Sequence, residues 1–119
     1  MNQLKELSVW QKAVGLATKI YEMTETYPKS ELYGLTSQIG RCVVSISSNI
    51  AEGAGRRSKK EFRQFLDIAT GSSYELETQL IKSKNLNYLN GKRYGELKDS
   101  LTEIQKMIYS LSRSLEIES

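Results

Sequence analysis

The sequence predicts an all-α protein, an up-down-up-down four-helix bundle that forms a single domain over residues 1–119. Three observations support this fold class. Apolar residues recur three and four positions apart in four separate segments. The connections between these segments are short, as they are in antiparallel bundles. No segment alternates apolar and polar residues with the period of two that is typical of a β-strand.

The first helix is predicted over residues 8–26. Val14 and Tyr21 widen its apolar face, and Pro28 ends it, because the residue before a proline is disfavoured in the helical conformation. The positions with three- and four-residue spacing are Trp10, Ala13, Ala17, Ile20 and Thr24.

The second helix is predicted over residues 31–52. Gly53 and Gly55 follow it, and glycine is the residue that most readily forms a left-handed cap at the end of a helix. We therefore expect such a cap here. The apolar face of this helix comprises Leu32, Leu35, Ile39, Cys42, Val43, Ile46 and Ile50.

The third helix is predicted to open at Ser58 and to fade near Tyr88. Ser58 and Glu61 have the S-x-x-E spacing of a capping box, in which each side chain bonds a backbone N–H at the start of the helix. Asn90 and Gly91 indicate the turn that follows. The inner positions are Phe62, Phe65, Leu66, Ala69, Ser73, Leu76 and Leu80.

The fourth helix has the clearest pattern of the four. Its apolar residues alternate between spacings of three and four without a break, which is a heptad repeat. The positions are Tyr94, Leu97, Leu101, Ile104, Ile108, Leu111 and Leu115.

A band of polar and small residues, here called the polar band, runs beside the apolar faces of the second and third helices. Gly71 lies in mid-helix, where glycine costs roughly 1 kcal/mol relative to alanine. Asn49 lies beside Ile46 and Ile50, so we expect its amide to be partly buried and hydrogen-bonded, with the loop after the second helix as one candidate partner. The band is either solvated or packed against another copy of the chain. Its members are Gln38, Ser45, Asn49, Glu52, Gly71, Ser72, Ser73 and Glu77.

The net charge of +3 is concentrated in one part of the chain, since residues 41–63 carry six cations and two anions. Cations at a helix N-terminus are disfavoured by the helix dipole, and a bound anion such as a phosphate chain would relieve the repulsion. Phe62 and Phe65 are expected in the core, so no aromatic platform for bases is predicted. Polyanion binding, a solvated basic corner and a protein partner all stay open. The cations are Arg41, Arg56, Arg57, Lys59, Lys60 and Arg63.

Several classes of function are not expected. The chain has no histidine and one cysteine, so it lacks the commonest general base and every Cys/His zinc pattern. Gly53 and Gly55 follow a helix rather than a strand, which argues against a dinucleotide fingerprint. Cys42 lies on an apolar face and is interpreted as a small buried side chain. We therefore expect no enzyme activity, no metal and no cofactor.

No segment approaches the ~18 apolar residues that a membrane span requires, and no signal peptide is apparent in MNQLKELSVW. A single cysteine cannot form an internal disulfide, which fits a reducing compartment. We therefore expect a cytoplasmic protein.

The run SISSNIAEGAGRRSKKEFRQFLDIATGSSYELETQL at residues 45–80, with LSVWQKA at 7–13 and LYGLTSQIGR at 32–41, resembles a known bacterial family. This is the four-helix-bundle family named for proteins encoded in intervening sequences of 23S ribosomal RNA genes. The resemblance implies assembly as a ring of five copies. It also implies a fold similar to the accessory protein of diversity-generating retroelements, which binds nucleic acid and a reverse transcriptase. Two roles therefore stay open, a nucleic-acid-binding accessory and a scaffold that docks a partner protein.

Overall fold

A computed structural model describes residues 4–118, with the side chains of residues 4–116. It confirms the all-α class. Four helices form the molecule: α1 (Ser8–Thr24), α2 (Leu35–Ala54), α3 (Lys59–Asn85) and α4 (Gly91–Glu118). Each helix packs on the next one in the chain, and α1 also packs on α4, which closes an antiparallel bundle of 46 × 24 × 21 Å. None of the helices in the described part of the chain has the length and hydrophobicity to cross a membrane.

The connection between α1 and α2 is longer than predicted. A turn of 3₁₀-helix at Lys29–Glu31 precedes α2, and Gly34 adopts a non-helical backbone with φ −113° and ψ −110°. The second helix therefore begins at Leu35 and not at residue 31. As a result Leu32 lies outside the helix and is 53% exposed, so its assignment to the apolar face is wrong.

The predicted left-handed glycine cap is also wrong. Gly53 is helical and buried, and Gly55 ends α2 in the right-handed conformation with φ −83° and ψ −4°. The left-handed residue is instead Asn87, with φ 63°, at the end of α3. The Asn87 N–H donates to the Lys84 carbonyl at 3.0 Å and the Tyr88 N–H donates to the Ser83 carbonyl at 2.9 Å. This pair of bonds is a Schellman motif, and asparagine tolerates the left-handed conformation better than most residues.

The starts of α3 and α4 agree with the sequence, except that the Glu61 carboxylate accepts from the Ser58 hydroxyl and not from the Ser58 backbone N–H as predicted. Ser58 Oγ accepts a hydrogen bond from the Glu61 N–H at 3.1 Å, and its hydroxyl donates to Glu61 Oε1 at 3.2 Å. Asn90 Oδ1 accepts from the Arg93 N–H at 2.8 Å, so the turn before α4 doubles as its N-cap. These caps fix the starting points of α3 and α4.

The core is continuous along the bundle. Five of the seven heptad positions of α4 are buried, and Tyr94 and Leu111 are half-buried against the same core. On α1 the buried face is rotated relative to the prediction: Ala13, Ile20 and Thr24 are buried as expected, whereas Val14 and Tyr21 are 39% and 50% exposed. Trp10 and Ala17 are half-buried, and the other buried positions are Val9, Leu16 and Met23.

Candidate functional site

Five of the six candidate cations meet at one end of the bundle, where α2 turns into α3. We call this group the basic corner; it consists of Arg56, Arg57, Lys59, Lys60 and Arg63. The first two lie in the turn after Ala54, the next two are the first residues of α3, and Arg63 follows one turn later. All except the half-buried Arg63 are exposed. The corner therefore combines a cluster of positive charge with the N-terminus of a 27-residue helix.

Gly53 allows this turn to be tight. A Cβ atom at position 53 would lie 2.8 Å from Phe62 Cδ1 and 2.8 Å from Phe65 Cβ. These separations are shorter than van der Waals contact, so α3 can start this close to α2 only with glycine at position 53. The absence of a side chain here thus positions the cations that precede and open α3.

Arg56 is held in place by two contacts. Its guanidinium lies 4.8 Å from the centroid of the Phe65 ring, a cation–π contact, and its Nη2 lies 3.4 Å from Glu52 Oε1. Phe65 is half-buried rather than part of the core, unlike the buried Phe62. The sequence prediction that both rings serve only the core is therefore wrong for Phe65.

Arg63 contributes an unsatisfied donor. Its Nε is shielded from solvent, and no acceptor within the described residues bonds it. A shielded N–H without an acceptor is costly, about 1–3 kcal/mol. An oxygen atom supplied from outside this part of the chain would remove that cost.

Arg41, the sixth candidate cation, lies apart from the corner. It is exposed on α2, about 20 Å from the end of that helix at 1.5 Å per residue. There it lines a polar groove between α2 and α3 together with Gln38, Glu75 and Lys82. The six cations are close in sequence, but only five of them are close in space.

The α2 part of the polar band forms a hydrogen-bond network with α3. Asn49 Nδ2 donates to the Ser45 carbonyl at 2.8 Å and to Ser45 Oγ at 3.0 Å, and Ser45 Oγ lies 2.7 Å from Ser72 Oγ. Asn49 is half-buried, which confirms that it is partly buried and hydrogen-bonded. Its partner is Ser45 one turn earlier, and not the loop after α2.

Two other members of the polar band on α3, Ser73 and Glu77, face α4 instead. The Ser73 hydroxyl donates to the Thr70 carbonyl at 2.6 Å, and Gln105 Nε2 lies 3.2 Å from Ser73 Oγ and 3.3 Å from Glu77 Oε1. Gln105 was not predicted as part of this contact, although it directly follows Ile104 of the heptad pattern. Gln38, Glu52 and Gly71 are exposed, and a Cβ atom at Gly71 would point into open space. The band is therefore two separate contacts within the chain plus an exposed remainder.

Cys42 is a buried thiol on α2, as the sequence predicted. Its Sγ donates to Glu75 Oε2 at 3.9 Å. Burial first, and the negative charge of Glu75 second, raise the pKa of the thiol above its ordinary value of 9.0. Because the thiolate is the reactive form, this environment makes Cys42 a poor nucleophile.

An apolar groove runs along the outer side of α2 and was not predicted. We define it by Tyr21, Leu32, Tyr33, Gly40 and Val44, which line one depression. Tyr33 is 92% exposed, and a Cβ atom at Gly40 would lie 3.4 Å from the Tyr21 ring. The sequence shows these apolar residues, but it led us to assign Tyr21 and Leu32 to the apolar faces of the first and second helices. Clustered exposed apolar side chains of this kind are typical of protein contacts.

The molecule is thus a basic helical bundle whose positive charge gathers at one helix–helix corner. The family model described as 23S rRNA-intervening sequence protein matches residues 5–110, and the chain belongs to this family. The match includes all the residues of the basic corner and of the apolar groove.

A solved structure supports the fold. It is the crystal structure of a protein with unknown function from the S23 ribosomal protein family of Bacteroides thetaiotaomicron, which is 26% identical to this chain with a TM-score of 0.79. The similarity covers 87% of this chain and 97% of that chain. No curated protein matches the sequence significantly.

Proposed function

We propose that this protein is a non-enzymatic nucleic-acid-binding protein that contacts RNA or DNA phosphates through the basic corner. The observation that carries the proposal is the convergence of five cations at the end of a bundle whose remaining sequence is close to neutral. Neutralising phosphates with lysine and arginine is the main source of affinity in nucleic-acid binding.

The position of the corner at a helix N-terminus also suits an anion such as phosphate. Arg57 and Lys60 are exposed beside the N-terminus of α3, whose dipole adds to their positive charge and favours an anion. Contacts of this type hold the backbone without reading base sequence.

The proposal includes assembly of several copies, five if the family resemblance extends to this chain. The apolar groove supports contact between copies, because it offers exposed apolar surface away from the basic corner. Repeated corners on one assembly would bind a long strand more tightly than one corner alone. The buried free thiol of Cys42 fits a reducing compartment such as the cytoplasm.

The test compares two variants of equal charge. In the first, the five cations of the basic corner become glutamine. In the second, the same change is made to five cations of α4: Lys92, Arg93, Lys98, Lys106 and Arg113. We expect the corner variant to lose binding to labelled RNA and duplex DNA and the α4 variant to retain most of it.

Salt dependence gives a second measure. On duplex DNA the slope of log affinity against log salt concentration is about −0.9 for each phosphate contacted. The corner variant contacts fewer phosphates, so its slope should be closer to zero than that of wild type. If wild-type protein fails to bind even at low salt, the proposal is wrong. Equal losses in the two variants would also overturn it, because net charge and not the corner would then be responsible.

The second candidate function is a protein-interaction scaffold, with a partner protein such as a reverse transcriptase. The apolar groove favours it, since Tyr33 and Leu32 are exposed without a role in the core. The scaffold function predicts partner binding that persists at high salt and in the corner variant but is lost in Val44→Glu. These results together would support the scaffold over nucleic-acid binding.

A further inference from the structure

We infer that the basic corner selects single-stranded nucleic acid by stacking an unpaired base on the guanidinium of Arg56. The inference rests on the proposed function and adds a substrate class to it. It starts from the cation–π contact of Arg56 with Phe65, in which the guanidinium carbon lies 4.8 Å from the ring centroid.

Arg56 is oriented before any ligand binds. The Phe65 ring lies on one side of the guanidinium, and Glu52 Oε1 lies 3.4 Å from Nη2. The arginine side chain nevertheless remains 41% exposed, so it is held but still open to solvent. A side chain that is already ordered loses less conformational entropy when a ligand contacts it.

The ion pair with Glu52 determines which part of a nucleic acid Arg56 can bind. The neighbouring Glu52 carboxylate offsets much of the charge of Arg56 and would repel a phosphate placed beside it. The ion pair is made through Nη2 and leaves the flat face of the guanidinium available for a base. Guanidinium planes and aromatic rings are the surfaces on which unpaired bases stack in protein complexes.

The neighbouring cations complete the site. Arg57 and Lys60 are exposed on either side of the α3 N-cap and are available to the phosphates that flank a stacked base. Gly53 fixes the support for the platform, since its missing Cβ lets Phe65 pack against the end of α2. The corner therefore contains a stacking surface with phosphate-binding groups next to it.

A duplex cannot use this arrangement, because its bases are stacked on each other and present only edges and phosphates. A single strand can use both the platform and the cations. We therefore expect the protein to prefer a single strand over a duplex of the same sequence when affinity is compared at equal salt.

The experiment uses three fluorescent DNA probes of one length: a single strand of mixed sequence, the same strand with abasic sugars, and the duplex. The abasic strand retains every phosphate, so it isolates the contribution of the bases. Wild-type protein should bind the base-bearing strand roughly tenfold more tightly than the abasic strand.

Arg56→Lys retains the positive charge and removes the planar face, so this tenfold ratio should fall to nearly one. Arg57→Lys makes the same chemical change without an aromatic support and should leave the ratio unchanged. Phe65→Leu keeps an apolar side chain at the corner and should lower the ratio as Arg56→Lys does. Circular dichroism of each variant verifies that the bundle is folded.

The outcomes separate the inference from the proposed function. Equal binding of all three probes by wild-type protein, or an unchanged ratio in Arg56→Lys, overturns the stacking inference and leaves phosphate binding in place. No binding of any probe at low salt overturns both. A ratio that falls in Arg56→Lys and Phe65→Leu but not in Arg57→Lys supports the inference.

Discussion

Asn49 supports Ser45, the residue that joins α2 to α3 through its hydrogen bond with Ser72. Its amide donates to both the carbonyl and the hydroxyl of Ser45. We expect Asn49→Ala to lower the free energy of unfolding by about 1 kcal/mol, because it removes hydrogen bonds from a half-buried site. Urea denaturation of wild type and variant measures this difference.

Gln38→Ala provides the matched control for Asn49. Gln38 belongs to the same polar band but is exposed, so its loss should change stability by less than about 0.5 kcal/mol. If the two alanine variants have equal stability, the Asn49 network contributes nothing beyond surface solvation.

Cys42 is expected to give the protein a pH-dependent stability in the alkaline range. Burial raises the pKa of this thiol in the folded state, so the folded protein binds its proton more tightly than the unfolded chain does. The resulting stability is complete below the unfolded pKa and is lost as the pH rises through the folded pKa. Wild-type protein should therefore lose more unfolding free energy than Cys42→Ala between about pH 7 and pH 10.

Tyr27 and Tyr88 also have raised pKa values, Tyr27 mainly through burial and Tyr88 mainly through its hydrogen bond to Glu31. Both tyrosines are present in the wild type and in Cys42→Ala. The difference between the two pH profiles therefore reports on the thiol alone. Parallel profiles would show that the thiol has the same pKa in the folded and unfolded states.

At the level of helices, the predictions succeeded where one pattern dominated. The α4 heptad places most of the large apolar residues of this helix on one face, so the sequence identified its buried side correctly. On α1 two overlapping stripes share Ala13 and Ile20, and spacing alone could not choose between them. The structure buries Leu16 and Met23 and leaves Ala17 partly exposed, which places the larger apolar side chains in the core.

The basic corner was only partly predictable. Five cations within eight residues, which also contain a capping box, identify the corner from the sequence. The distance of Arg41 from the corner follows from its position along α2, a helix that the sequence also predicts. The stack of Arg56 on Phe65 depends instead on how the turn folds back on α3, a tertiary feature without a local sequence signal.

Substitution of two glycines, Gly53 and Gly71, is expected to have opposite effects on stability. Gly53→Ala would place a Cβ atom 2.8 Å from Phe62 Cδ1 and 2.8 Å from Phe65 Cβ. We therefore expect this variant to lower the free energy of unfolding by about 1–3 kcal/mol. At Gly71 the new methyl group would point into open space, and alanine favours a helix over glycine by about 0.5–1 kcal/mol. Gly71→Ala should therefore raise the unfolding free energy of the isolated chain.

Thermal and urea denaturation of the two glycine variants at the same protein concentration test this pair. Destabilisation by Gly71→Ala would mean that a contact outside the described chain occupies the space next to Gly71. A neutral Gly53→Ala would mean that α3 can move away from α2 without cost, and the basic corner would then be less rigid than the structure indicates.

At the scale of the bundle, the basic corner and the apolar groove are separated. The basic corner lies at one end of the bundle, whereas Val44 in the apolar groove lies about 15 Å before the end of α2 at 1.5 Å per residue. A protein docked on the groove would therefore leave the corner accessible. This arrangement makes assembly and nucleic-acid binding compatible in one molecule.

The last prediction concerns assembly through the groove. We expect light scattering at micromolar concentration to show a mass several times that of the 13.5 kDa chain. Val44→Glu should reduce this mass, because it places a charge on the apolar surface that copies would bury. Ile68→Glu is the matched control, since Ile68 is 51% exposed on α3, outside the groove.

The same pair of variants links assembly to binding. Val44→Glu should bind a short strand as wild type does but lose affinity for a long strand, because separate corners no longer act together. Ile68→Glu should behave as wild type on both. A monomeric wild type would contradict assembly outright, and dissociation by Ile68→Glu with Val44→Glu intact would move the contact from the groove to the outer face of α3.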